Sequence, residues 1–330
     1  MKKDILGLGL ESSCDETGVS IVKNGKTILS NLIFSQIDIH KKYYGVVPEI
    51  ASRAHLEVIN PLIEEALKKA QIKFSDLDYV AATTKPGLIG SLLIALQSAK
   101  VISYTLGIPF IGINHLEAHL YAPFLEGYQL FYPYLGLLIS GGNTILFKVK
   151  GLNQMEILAK TVDDAVGEAF DKIAKYLELG YPGGPLIENL AKTAQNKETL
   201  FPKILPQAND NRFSYSGLKT AVITYLKNNP EANQAEIVYS FQERALEILT
   251  RKTLANARKE NIKKIVVAGG VAANGRLREL FSQAKNNDEE IIIASPKLCT
   301  DNAAMVAGLG YQYFQQNIFS SLDLDAQPKI

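Results

Sequence analysis

The hydrophobic pattern opens with three short β-rich runs, Ile5–Leu10, Gly18–Val22 and Thr27–Phe34, separated by turn formers such as Asn24-Gly25. The period then changes. Ile50, Ala54, Val58, Leu62 and Ala66 recur at helical spacing and predict an amphipathic helix. Tyr79–Thr83 reads as a buried strand, Ser91–Thr105 as a helix, Phe110–Ile113 as a strand and Leu116–Leu125 as a further helix.

The second half repeats this order. Strands are predicted at Leu135–Ile139, Thr144–Val149 and Glu156–Lys160, then a helix from Ala165 to Leu177. After an insertion the alternation resumes with a long helix Ala235–Glu260, a strand Ile265–Ala268, a helix from Asn274, a strand Ile291–Ala294 and a last helix from about Asp301 to Tyr313. A βββαβαβα unit occurring twice predicts an α/β protein of two duplicated, RNase H-like domains with a cleft between them. The break in periodicity at Phe124–Pro133 divides the chain into 1–126 and 127–330, with a helical insertion at about 180–235 and a final helix free to pack back on the N-terminal domain. Two such units, with glycine-bearing turns after their first strands, resemble the actin, Hsp70 and sugar-kinase superfold, the actin-like ATPase architecture. Fold alone does not give function.

At 330 residues, 47% hydrophobic and 21% charged, the composition is that of a globular protein long enough for two domains. Two cysteines, Cys14 and Cys299, are too few for a disulfide framework and suit a reducing compartment, so a cytoplasmic location is expected. Met1-Lys2-Lys3-Asp4 imitates the start of a signal peptide, but the apolar run behind it ends at Glu11. No run of about 18 uninterrupted apolar residues is present, and the best candidate, Leu135 to Ile145, is broken by Gly141, Gly142 and Asn143, so no membrane partner is expected. A net charge of +1 means that any nucleic-acid contact must come from a local patch.

Chemistry concentrates in a few segments. His115-Leu116-Glu117-Ala118-His119 places two imidazoles one helical turn apart, a common beginning of a transition-metal site; a solvated helical pair is the plainer reading. Asp301, in Cys299-Thr300-Asp301-Asn302, is an acidic candidate for third ligand that would reach the pair across the cleft. In Leu138-Ile139-Ser140-Gly141-Gly142-Asn143 and in Val267-Ala268-Gly269-Gly270-Val271-Ala272-Ala273-Asn274, paired glycines follow strands, where backbone N–H groups can meet a phosphate. The first of these is also good hairpin sequence, and neither is a GxGxxG fingerprint or a P-loop. Glu11-Ser12-Ser13-Cys14-Asp15-Glu16-Thr17 crowds acids and hydroxyls into one turn, where a carboxylate could orient a nucleophile or take its proton. Asp171, in Gly167-Glu168-Ala169-Phe170-Asp171-Lys172, could accept ribose hydroxyls or simply pair with Lys175. Arg244, Arg251 and Arg258, with Lys252 and Lys259, form a basic stripe opposite Val238, Phe241, Ala245, Ile248 and Leu249; it suits RNA phosphates or a solvated face.

Taken in order, HLEAH, LISGGN, GEAFDK, YPGGP, AGGVAAN and CTDNAAM closely resemble the TsaD family, transferases that install threonylcarbamoyl on an adenosine of tRNA. The resemblance spans nearly the whole chain. It implies that His115, His119 and Asp301 hold one divalent metal, with iron, Fe(2+), the usual assignment. It also implies that Leu138, Ile139, Ser140, Gly141 and Gly142 cradle the phosphate end of threonylcarbamoyl-AMP, with ATP a further nucleotide candidate. Asp171, Gly184 and Asn274 then match ribose and adenine contacts, and Glu188 an acid near the ribose. The acceptor would be N6 of the adenosine beside the anticodon, A37, in tRNAs reading codons that begin with A. The implied partners are tRNA, a small paralogous subunit of the same fold (TsaB-like) and an ATPase subunit (TsaE-like). Two departures stand out: Ala118 replaces the glycine of HxEGH, and Asn143 replaces the histidine of SGGH.

An exocyclic adenine amine is a poor nucleophile, so the transfer needs a polarised carbonyl, a stabilised leaving phosphate and accurate placement. Asp15 is the candidate for orienting the amine or accepting its proton. A zinc peptidase does not fit, because Glu117 lies roughly 200° around the helix from His115, unlike the glutamate of HExxH. A small-molecule kinase of the same superfold and a non-catalytic nucleotide-binding scaffold are the alternatives.

Overall fold

The computed structural model describes residues 4–43, 45–205 and 211–329. The signal-like start at 1–3 and part of the expected insertion, 206–210, lie outside the described residues. The chain forms two compact units, Met1–Leu130 with Thr300–Ile330, and Phe131–Cys299. The last 31 residues, 300–330, group with the first unit, so the 127–330 segment expected from sequence is divided where its final helix packs back.

The first unit begins with β1 (Leu6–Glu11), β2 (Glu16–Lys23) and β3 (Thr27–Ser35), an antiparallel meander. A short α1 (Ile37–Lys41) leads to α2 (Pro48–Ala70), then β4 (Tyr79–Lys85), α3 (Ile89–Leu106), β5 (Phe110–Asn114) and α4 (His115–Tyr121). The sheet order is β3-β2-β1-β4-β5, with β4 and β5 parallel to β1. Leu8, Leu10, Val19, Ile21, Val80 and Ala82 face α2 and α3 in one apolar cluster. The buried stripe of α2 is Ala51, Ala54, His55, Ile59, Ile63, Ala66 and Leu67; the expected Ile50, Val58 and Leu62 sit at its margin, half-buried. Apolar residues cover a broad arc of this helix, and spacing alone fixes its centre only to within a residue.

The membrane comparison also changes. Leu135 to Ile145 folds as strands, whereas α3 has the length and mean hydropathy, 1.4, of a membrane span. Its Leu92, Ala95, Leu96 and Ala99 pack into the cluster of the first unit, as a core helix does.

In the second unit β6 (Tyr134–Ile139), β7 (Thr144–Gly151) and β8 (Gln154–Thr161) form the meander, followed by α5 (Val166–Tyr176) and α6 (Gly183–Ala191). Next come β9 (Arg212–Phe213), α7 (Ser216–Asn228), α8 (Gln234–Lys259), β10 (Lys264–Ala268), α9 (Gly275–Ala284), β11 (Glu290–Ile293) and α10 (Pro296–Cys299). The order β11-β10-β6-β7-β8-β9 repeats the first sheet and adds β9 beyond the meander. The duplication read from the pattern is thus present strand for strand.

The chain then returns to the first unit as α11 (Ala303–Gln315), which lies on β1, β2 and β4. Close approach makes this seat possible: a Cβ on Gly9 of β1 would stand 2.3 Å from the Ala303 carbonyl oxygen. Tyr79, buried on β4, donates its hydroxyl to the Ala307 carbonyl at 2.6 Å. Beyond α11, the backbone N–H of Ser320 binds the Phe110 carbonyl and that of Gln327 binds the Thr84 carbonyl.

Candidate functional site

α4 starts directly at the end of β5, where Asn114 caps it by accepting the Leu116 N–H at 2.9 Å. That start brings both imidazoles to the carboxyl end of the parallel strands. His115 and His119 stand edge to face with ring centroids 4.5 Å apart. Asp301 immediately precedes Asn302, whose side chain caps α11 on the Met305 N–H. Asp301 Oδ1 lies 2.9 Å from His119 Nε2 and 3.7 Å from His115 Nε2. One donor atom from each of the three residues falls within 4.8 Å of the others, a spacing that could hold a metal ion. The expected meeting across a cleft is corrected: all three residues lie in the first unit, because α11 packs on β1.

Behind His115 lies a carboxylate that spacing did not single out. Glu11 ends β1 with no exposed surface, and its Oε2 accepts from Thr83 Oγ1 at 2.5 Å and meets His115 Nδ1 at 3.0 Å. Its Oε1 accepts the Ser13 N–H at 2.6 Å. By contrast His119 Nδ1 is buried with no hydrogen-bond partner among the described residues. Burial opposes charge on His115, but Glu11 and then Asp301 outweigh it and raise its pKa to about 9. The same imidazoles hold Asp301 below the usual carboxylate range against the opposing effect of burial.

Asp15 lies in the turn between β1 and β2. Burial, then the Asp301 and Asp15 charges, push Glu16 up to about 9, and Glu16 hydrogen-bonds Asp15. Burial and the neighbouring acids also raise the Cys14 thiol, which leaves it a poor nucleophile. His55, from α2, fastens this turn: Nδ1 meets Thr17 Oγ1 at 2.7 Å and Nε2 the Cys14 carbonyl at 3.0 Å. The turn hangs from α3 as well. Ser12 Oγ donates to the Ser91 carbonyl and accepts the Ala95 N–H, entering the helical ladder between those residues.

In the second unit the two glycine segments meet. Gly269, at φ +92, directly follows β10, and a Cβ there would stand 2.4 Å from the Ile139 carbonyl oxygen, so only glycine allows this close approach. The Ser140 N–H donates to the Asn143 carbonyl and the Asn143 N–H to Ser140 Oγ, so Asn143 closes the loop after β6. The Gly167 N–H at the start of α5 donates to the Ser140 carbonyl. Cβ positions on Gly141, Gly142, Gly184 and Gly270 meet nothing within 4 Å among the described residues, which leaves their backbone open to a ligand. Asp171 Oδ1 accepts the Gly183 N–H at 2.7 Å, and burial raises its pKa. Glu188 Oε1 accepts the Gly275 N–H at 3.1 Å and pairs with Lys192. Asn274 caps α9 on the Leu277 N–H and donates Nδ2 to Gln242 Oε1. Leu138 and Ile139 are buried in β6, so only the loop behind them is open.

Four of the five cations in the basic stripe on α8 are internally paired, while Lys259 is exposed. Arg244 binds Phe201, Thr199 and Glu247; Arg251 binds the Ile204 and Leu205 carbonyls; Arg258 forms a fork with Glu289. Lys252 is fully buried and donates to the Arg212 carbonyl. Seven-residue spacing marks a common face, but it cannot tell cations committed to loop carbonyls from cations facing water.

Fold and site together define an actin-like α/β protein with a His, His, Asp centre in one unit and a glycine-lined cradle in the other. Among solved structures, HypF from T. kodakarensis aligns at TM-score 0.65 with 14% identity over 95% of this chain and 48% of its own. Component A of the (R)-2-hydroxyglutaryl-CoA dehydratase from Acidaminococcus fermentans aligns at 0.56 with 17% identity over 94% and 98%. These two likenesses concern the fold. The sequence profile described as TsaD, tRNA N6-adenosine threonylcarbamoyltransferase, matches residues 27–308. Proteins of that name from Clostridium kluyveri and Kosmotoga olearia are 45% and 50% identical, over 100% and 97% of this chain and 98% and 97% of their own lengths. The chain belongs to the TsaD family.

Proposed function

We propose that this chain is a cytoplasmic acyltransferase that moves threonylcarbamoyl from threonylcarbamoyl-AMP to N6 of A37 in tRNAs reading codons that begin with A. The single observation that carries the reading is the convergence of buried His115 and His119 with half-buried Asp301 in a member of this family. Two imidazole nitrogens and one carboxylate suit a first-row divalent ion such as Fe(2+). The fit rests on the donor set and on two Nε2 atoms turned toward one carboxylate oxygen. When bound there, such an ion supplies Lewis acidity toward substrate oxygens.

The remaining roles fall to the chain. The open amides of Gly141 and Gly142 would receive the phosphate, with Asp171, Gly184, Glu188 and Asn274 around the nucleoside. Asn274 and Glu188 already hold α9, so their part would be to shape the pocket as well as to touch the ligand. Asp15 would accept the N6 proton as the N6–carbonyl bond forms and the bond to the phosphate oxygen breaks, its electron pair leaving with AMP. The hydrogen bond from Glu16, and the turn fixed by His55 and Ser12, support that placement. The reading also expects a small paralogous subunit and an ATPase subunit as partners.

The test is incubation of unmodified tRNA with threonylcarbamoyl-AMP, the chain and those subunits, followed by nucleoside analysis. Threonylcarbamoyladenosine at position 37 is expected, with none formed when inosine, which lacks the amine, occupies that position. Absence of product from the natural tRNA would contradict the reading. Single-turnover transfer with Asp15→Asn tests the base; a wild-type rate would remove Asp15 from the mechanism.

A further inference from the structure

We propose that Glu11 is a positioning residue that holds His115 as a metal ligand, making the two histidines of the centre unequal. This inference rests on the metal reading above. A carboxylate only accepts, so the short contact between Glu11 Oε2 and His115 Nδ1 places a proton on Nδ1 and turns Nε2 toward Asp301. The Ser13 hydroxyl lies 3.2 Å from the same nitrogen, but the carboxylate is nearer and charged.

Glu11 is itself immobilised. It sits at the end of a central strand with no exposed surface, and three donors converge on it: the Ser13 N–H, the Thr83 hydroxyl and His115. Thr83 comes from β4, the neighbouring parallel strand, so the support spans two strands and the start of α4. Carboxylates that bind the far nitrogen of a ligating histidine fix its tautomer, orient the ring and raise its basicity. His119 has no such support, since its Nδ1 lacks a partner among the described residues.

Glutamine cannot stand in for Glu11. All three neighbours donate, and a glutamine amide would turn its own NH2 toward at least one of them. Thr83→Ser keeps the hydroxyl donor, whereas Thr83→Val removes it and leaves the carboxylate less firmly placed.

The experiment is Co(2+) binding to the full chain, followed by its visible absorption and by competition with a chelator, with folding checked by circular dichroism melting. Glu11→Gln is expected to weaken Co(2+) binding roughly 10- to 100-fold and to alter the absorption bands. Thr83→Val should weaken it by less, and Thr83→Ser should restore wild-type affinity. Wild-type affinity and bands in folded Glu11→Gln would overturn the proposal. Should Glu11→Gln not fold, equal affinity in Thr83→Val and Thr83→Ser would overturn it instead. His119→Ala distinguishes failure of the metal centre from failure of the Glu11 role: Co(2+) binding unaffected by that change would refute the metal centre itself, and the role of Glu11 with it.

Discussion

Replacing Gly269 with alanine tests the contact that joins the two glycine loops. The backbone there has φ 92 and ψ 165, a region that side chains other than hydrogen rarely enter. Holding alanine in it costs about 1–3 kcal/mol. The added methyl would also stand 2.4 Å from the Ile139 carbonyl oxygen and 2.8 Å from its carbon, and neither backbone atom can swing aside as a side chain can. Forced overpacking of this kind costs about 1–3 kcal/mol more. Even the lower bound of the sum, about 2 kcal/mol, lowers Tm by roughly 4–8 °C for a domain of this size. Gly270→Ala is the matched control, because its methyl would enter open space; it should stay within about 0.5 kcal/mol of wild type. Scanning calorimetry, read at the transition of the second unit, compares the three proteins. Equal melting of Gly269→Ala and Gly270→Ala would refute the close approach of β10 to β6.

Two further predictions concern charges that sequence alone leaves open. Arg258→Gln should destabilise the second unit by about 1–2 kcal/mol, because the buried Glu289 carboxylate loses its fork. The same change should leave the salt slope of tRNA binding unchanged, and a slope reduced by about one ion would restore the α8 stripe as a phosphate contact. Asp164 is held below its ordinary pKa of 3.8 by Lys172 and Lys219, each at 2.6 Å, against the opposing effect of burial. A lowered carboxylate adds stability above its unfolded pKa and loses it as pH falls through the lowered value. Urea unfolding of Asp164→Asn should therefore show lower stability at pH 7 and a shallower decline below about pH 4 than wild type. Parallel curves would refute the pairing.

Much of this molecule can be read from hydrophobic period and spacing, for identifiable reasons. Paired βββαβαβα units leave their signature in the alternation of period two and period 3.6, which is local. His115 and His119 are likewise legible, because one helical turn separates them. Whether Asp301 meets them within a unit or across a cleft is not local information. It depends on α11 packing on β1, and the clue, a glycine at position 9 inside a buried strand, has meaning only once its neighbour is known. The role of Glu11 beside His115 hid for a similar reason: the sequence marks it only as one acid of a crowded turn, while its partners Thr83 and His115 are 72 and 104 residues away. Helices α6 and α7, in the insertion, do not repeat the unit, so the duplication offers no template for them.

Metal content and transfer, measured on the same preparations, test whether the His, His, Asp centre drives the reaction. Labelled threonylcarbamoyl is presented as its adenylate to unmodified tRNA, with the partner subunits, by wild type and by the His115→Ala/His119→Ala double variant, and bound metal is measured in both. About one divalent ion per wild-type chain and efficient transfer are expected, both lost in a double variant that remains folded. Transfer by the double variant at the wild-type rate would contradict that expectation.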